Sequence, residues 1–222
     1  MSESPMTNSS AVLKLSVFSN DTQIQDTIGI ASISITSAIN KIPYAIIELP
    51  DGDMPNQDFP ISNGDEFKPG SEIKINAGYG DSEDTIFKGI VIKHGIKISG
   101  NNISRLVIEC RDKAVAMTIG RHSANYVDKK DSEIIADIVS GYSGLSSDVD
   151  VTTTQYKELV QYYCSDWDFI LSRAEVNGLL ICVEDGKLSI KAPQLSAAAE
   201  LKLSYGEDLI ELDADIDART QF

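Results

Sequence analysis

Two histidines and three cysteines are all this 222-residue chain carries of the side chains that most often hold metals or form nucleophile–base pairs. His94 and His122 lie in different segments, at no ligand spacing to each other or to Cys110, Cys164 or Cys182, so no metal site is expected. No G-x-S-x-G, H-E-x-x-H or P-loop sequence occurs, which argues against the common hydrolase and nucleotide-handling classes. No catalytic residue and no cofactor is therefore expected. The cysteines are odd in number and widely spaced, and Cys110 and Cys182 sit in strand-like runs, so buried free thiols are expected. No apolar run approaches the length of about 18 residues that spans a bilayer. The first ten residues, MSESPMTNSS, lack the basic and apolar regions of a secretory signal and read as a disordered tail, 1–10. The chain is expected to be made and folded in the cytoplasm and carried out, if at all, by another machine. Basic residues are scarce: 19 Lys and Arg face 34 Asp and Glu, for a net charge of −15. Lys129-Lys130 is the densest basic pair, so no attraction to nucleic acid or an anionic membrane is expected. An acidic surface could still serve a conduit. Aromatic residues make up only 7% and fall mostly at core-like positions. That weakens the alternative of an isolated carbohydrate- or protein-binding β module, and the missing motifs weaken that of a hydrolytic effector.

What the chain does have is alternation. With 42% hydrophobic residues it can build one large or two small cores. Residues 11–111 are β-rich. AVLKLSVFS, GIASISITSAI, YAIIEL, SEIKINAGY, TIFKGIVIKHGIKIS and ISRLVIECRD predict six strands, separated by turn signals such as Pro50-Asp51-Gly52 and Gly100-Asn101-Asn102. Six strands at this spacing suggest a barrel or a sandwich. Gly89 and Gly95, inside one long run, predict bulges or corners. Residues 51–66 read as a polar loop.

Residues 112–178 predict a helical insertion. Asp131 is placed to cap SEIIADIVSGY, whose Ile134, Ile135, Ile138 and Val139 form a stripe. Asp148–Thr154 reads as a linker or short strand. Residues 160–192 form a compact unit: a lead-in segment, a helix, a glycine stop and a hairpin. Ser165 and Asp168 make a capping-box-like start. Trp167, Ile170, Leu171 and Ala174 share one helical face, and Phe169 lies off it. Gly178 sits where a left-handed cap is usual. Asp185-Gly186 suits a type I′ turn between LLICVE and KLSIKA. Arg173 has no partner at helical spacing, so its partner is expected from elsewhere, including another chain.

Residues 179–222 return to β structure. From Ile210 to Arg219, Leu212, Ala214, Ile216 and Ala218 alternate with Glu211, Asp213, Asp215 and Asp217, which predicts a strand with one acidic face. The Asp213, Asp215 and Asp217 spacing also begins a calcium loop, but Ala218 stands where glycine is needed. A solvent- or lumen-facing strand is the better reading. Because the sequence stops at Phe222 with no cap, turn or tail after this strand, the chain is expected to continue into the rest of a domain.

Three of these segments resemble one family. The string from Gln161 to Leu179, Q-Y-x-x-S-D-W-D-F-I-x-x-R-A-E-x-x-G-L, is similar to the core signature of VgrG spike proteins of type VI secretion and related contractile injection systems. Those proteins are similar in turn to phage-tail baseplate hubs. Phe67, Pro69-Gly70, Ile73–Tyr79 and Ile86-Phe87-Lys88-Gly89 resemble an upstream hub pattern, and DADIDARTQF a late acidic strand. The resemblance implies a mainly β fold with a helical insertion (α+β), built as two β-barrel-like hub domains. These would be 11–111 and an incomplete second starting at 179–222, with 112–178 between them. It implies a homotrimer in the full-length protein, adapting a sixfold inner tube to a threefold spike and meeting baseplate proteins and effectors. Asp213, Asp215, Asp217 and Arg173 are the candidate partner-interface residues.

Overall fold

The computed structural model describes residues 12–25, 27–79, 82–100, 103–194, 196–198, 201–207, 209 and 211–214. Leu13–Pro193 forms one compact unit. Its first layer is a seven-stranded antiparallel sheet of β1 (Leu13–Ser19), β2 (Thr22–Gln23), β3 (Ser32–Thr36), β4 (Tyr44–Pro50), β5 (Glu72–Tyr79), β6 (Asp84–Ser99) and β7 (Ile103–Arg111). The spatial order is β2-β1-β5-β6-β7-β4-β3. All six strands expected from alternation form. The period of two puts Ala45, Ile47 and Leu49 of β4, Ile73 and Ile75 of β5, and Leu106, Ile108 and Cys110 of β7 in one core, closed by Phe67.

The sheet does not close, so the barrel expected from strand spacing is corrected to an open sheet with β2 and β3 at its edges. The reason is local. Asn20 (φ 46°) and Asp21 (φ 63°) form a turn with two left-handed residues, which sends the chain back along β1 as β2. That short return occupies part of the edge a closing strand would need. The long strand β6 is irregular where glycines suggested it: its register with β7 shifts between Val91 and Lys93, between Gly89 and Gly95. At Gly89 a Cβ would collide with the Arg111 carbonyl oxygen, so only glycine permits that approach.

The second layer begins with a 3-10 turn, Lys113–Thr118, capped by the buried Asp112, whose carboxylate accepts from the Ala114 amide at 2.8 Å and the Gly186 amide at 3.0 Å. Then follow β8 (His122–Lys130), α1 (Asp131–Ser140), β9 (Ser146–Val149), β10 (Gln155–Cys164), α2 (Asp166–Val176), β11 (Leu180–Glu184) and β12 (Lys187–Lys191). β8 and β10 form a two-stranded ribbon, which alternation in the insertion did not reveal. β11 and β12 form the expected hairpin over Asp185 (φ 49°) and Gly186 (φ 74°), and β12 pairs in parallel with β9. Trp167, Ile170 and Ala174 of α2 pack with Ile135 and Val139 of α1 and Ile181, Val183, Leu188 and Ile190 of the hairpin.

Two local expectations are corrected. The N-cap of α1 is Lys130, not Asp131: Glu133 accepts the Lys130 amide at 2.9 Å, while Asp131 is the first helical residue and fully buried. Cys110 is buried, and burial pushes its thiol up to about 12, but Cys182 is exposed. Ile181 and Val183 take the inward positions of β11, so alternation turns Cys182 out. Among the described residues no helix is long and apolar enough to cross a membrane.

Candidate interaction surfaces

Arg173 is engaged within its own chain. Its Nε donates to Asp131 Oδ1 at 2.6 Å, and its Nη2 to Asp131 Oδ2 at 3.1 Å and to the Tyr156 hydroxyl at 2.8 Å. Asn177 Nδ2 adds a third donor to Asp131 at 2.8 Å. Burial alone would raise the Asp131 carboxyl. The hydrogen bonds from Arg173 and Asn177 outweigh burial and hold it below its ordinary value. The cluster ties α1, α2 and β10 together, so Arg173 acts inside the fold in this structure. Asp213 is exposed, in a segment, 211–214, that forms no strand. Asp215 and Asp217 lie outside the described residues. Phe169, off the apolar stripe, stacks on Tyr126 of β8 at 5.8 Å between ring centroids. It thereby seats the ribbon on α2.

The ribbon presents an outward face that the sequence did not announce. Ala124, Tyr126, Leu159 and Gln161 turn inward, and Gln161 Nε2 reaches Asp166 at 2.7 Å. Val127, Val160 and Tyr162 are left exposed, Tyr162 by 82%. The core-like placement expected of the aromatics fails here, because strand alternation forces the residue after Gln161 to the opposite face.

A second surface is the lobe 51–66. The buried Asp51 carboxylate accepts the amides of Gly52 (2.9 Å), Ile61 (3.1 Å) and Ser62 (2.8 Å), which organises the loop from its centre. His94 of β6 fastens it, with Nε2 2.8 Å from Ser62 Oγ and Nδ1 2.9 Å from the Phe67 carbonyl oxygen. Because the carbonyl can only accept, Nδ1 carries a proton, and in the neutral imidazole Nε2 then accepts from Ser62. This contact resembles a nucleophile–base pair, but the group orienting the imidazole is a neutral carbonyl. Ser62 is also held through its amide, so the contact is explained as a clasp between loop and sheet. Among the described residues no group of three or more His, Cys, Asp or Glu is placed to hold a metal ion.

A family model for the Alg8 N-terminal domain matches residues 9–222. The chain belongs to that family. No curated protein matches it by sequence. Among solved structures it is similar to the tail protein from Neisseria meningitidis MC58, with a TM-score of 0.61, 11% identity, and 84% of this chain covering 52% of that one. It is similar to the 43 kDa tail protein of prophage MuSo2 from Shewanella oneidensis, with a TM-score of 0.60, 16% identity and coverages of 81% and 54%. A third is the E. coli c3393 protein, described as a component of the type VI secretion system with structural similarity to T4 bacteriophage tail proteins gp27 and gp5. Its TM-score is 0.57, identity 11%, and coverages 80% and 48%. At these identities the likeness is one of fold: a mainly β chain with few helices, shared with phage-tail and type VI secretion proteins. The chain spans about half the length of each of these structures.

Proposed function

We propose that this chain is part of a VgrG-like hub of a contractile injection apparatus, a homotrimeric adaptor between a sixfold inner tube and a threefold spike that aids effector delivery. The observation that carries the reading is the fold itself, shared over four-fifths of the chain with phage-tail proteins and a type VI secretion component. The Gln161–Leu179 string supports it, since those residues build the α2 unit and seat the ribbon on it. A ring of head-to-tail contacts is the symmetry such an adaptor needs. The role is mechanical and no reaction is catalysed. The chain meets tube, baseplate and effector proteins, is assembled in the cytoplasm, and becomes part of a secretion apparatus.

Light scattering on the whole natural protein tests the reading: three copies per particle are expected, and a stable single copy at micromolar concentration would overturn it. The same preparation is expected to show no hydrolysis of a p-nitrophenyl ester that is lost in Ser62→Ala, since that loss would make the Ser62–His94 contact a catalytic pair. A protein-binding module is the second reading, favoured by the exposed Tyr162 beside Val160 on the ribbon.

A further inference from the structure

The lobe 51–66 frames a cavity of about 290 Å³ that the hub reading does not use. Its apolar lining is Met54, Phe59 and Ile98, and its acidic residues are Asp53 and Asp58. Ile98 is there because the β6–β7 hairpin outruns the core. Leu106 opposite Ile96 is fully buried, but Ile98, two positions further on the same face, is 70% exposed, and Met54 is 66% exposed. The walls are fixed in advance. Asp53 and Asp58 exchange backbone hydrogen bonds at 2.7 and 3.1 Å, and the Asp51 hub and the His94 clasp hold the rest of the loop.

The electrostatics are one-sided. Between Ile42 and Phe67 there is no Lys or Arg, and there are six carboxylates: Glu48, Asp51, Asp53, Asp58, Asp65 and Glu66. Among the described residues the Asp53 carboxylate accepts only from Asn56, at 3.2 and 2.6 Å, and that of Asp58 from the Phe59 amide at 2.8 Å and Asn63 Nδ2 at 2.6 Å. These bonds shape the turn, and among the described residues no Lys or Arg pairs with either carboxylate beside the apolar hole.

We infer that this cavity is a docking site for a protein segment bearing one large aliphatic or aromatic side chain flanked by Lys or Arg. The anchor side chain covers Met54, Phe59 and Ile98, and the flanking cations meet Asp53 and Asp58. A pre-formed loop loses little freedom on binding, which favours affinity from so small a contact. The two carboxylates supply selectivity and faster encounter. The site stands independently of the hub assignment.

The test is an array of 12-residue peptides with one Leu, Phe, Trp or Ala at the centre, flanked by Lys, Ser or Glu, probed with the whole chain and followed by fluorescence polarisation. Binding is expected only with a large anchor. Lys-flanked peptides should bind at least about tenfold more tightly than Glu-flanked ones at low ionic strength, the gap shrinking as salt rises. Ile98→Glu should abolish binding of every peptide. The double variant Asp53→Asn, Asp58→Asn should keep the anchor requirement and lose the charge preference. The altered side chains lie at the surface, so unchanged near-UV circular dichroism and melting are the folding control. No binding above the Ala-centred peptides, equal binding of Lys- and Glu-flanked peptides, or binding that survives Ile98→Glu would each overturn the proposal.

Discussion

Replacing Asp131 with alanine removes a fully buried carboxylate and strands three donors. Arg173 loses two hydrogen bonds, Asn177 loses one, and the first turn of α1 loses a negative charge that its dipole favours. The Arg173 side chain is only 14% exposed, so its charge cannot simply rehydrate. Breaking a buried pair from one side costs about 3–5 kcal/mol. The Tyr156 hydroxyl still accepts from Arg173 Nη2, which places the expected loss near the lower end, about 3 kcal/mol. Urea unfolding at pH 7 measures it. The double variant Asp131→Leu, Arg173→Met should recover most of the loss, because no lone charge then remains buried. The pH dependence has a definite sign. The folded carboxyl lies below its ordinary value of 3.8, so its contribution is fully present above that value and is lost as pH falls through the lowered folded value. The stability gap between the natural chain and Asp131→Ala should therefore be constant from pH 7 to pH 5 and narrow only in stronger acid. A loss under about 0.5 kcal/mol at pH 7, the usual range of surface substitutions, would refute the reasoning.

Trp167→Ala should cost about 3–5 kcal/mol in the same assay, since the indole fills the core shared by α1, α2 and the β11–β12 hairpin. An unchanged melting temperature would place the side chain at the surface. N-ethylmaleimide at pH 7.5 should modify the exposed Cys182 within minutes and leave Cys110 untouched until the chain is unfolded, as mass spectrometry of tryptic peptides would show. Equal labelling of both in the folded chain would contradict the burial of β7.

The features legible in the sequence were those written by near neighbours. Ser165 caps α2 by accepting the Asp168 amide at 3.1 Å, Gly178 takes φ 66° after it, and Asp185-Gly186 closes the hairpin: each signal spans four residues or fewer. The sheet strands were legible because both their faces follow the period of two. The ribbon was not. Asp128 (φ 53°) and Tyr163 (φ 47°) interrupt its two strands, and its register slips between Gln161 and Cys164, so no uninterrupted alternation marks it. Arg173 was recognised as lacking a helical partner, but nothing local indicates that Asp131, 42 residues earlier, supplies it. The cavity in the lobe was invisible for the same reason, since it joins the 52–59 turn to Ile98 and Ser104. Its acidic rim was in plain view, and only the fold shows that it adjoins exposed apolar side chains.

The net charge of −15 acquires a local meaning once the ion pairs are placed. Among the described residues nine basic side chains pair with carboxylates of the same chain: Lys14, Lys68, Lys88, Arg105, Arg111, Lys113, Lys129, Arg173 and Lys191. Except for Arg173–Asp131 these pairs lie at or near the surface and contribute little to stability one by one. Their larger effect is on what remains. They offset single carboxylates of the second layer, through Lys88–Asp185, Lys129–Asp137 and Lys191–Asp148, and of the sheet, through Lys113–Glu72 and Arg105–Glu48. Among the described residues the one ion pair that reaches 51–66 joins Lys68 to Asp65, and none reaches Asp53 or Asp58. Part of the excess negative charge thus lies on the rim of an apolar cavity. A basic, apolar protein segment gains there from both terms at once, which neither the charge nor the cavity would provide alone.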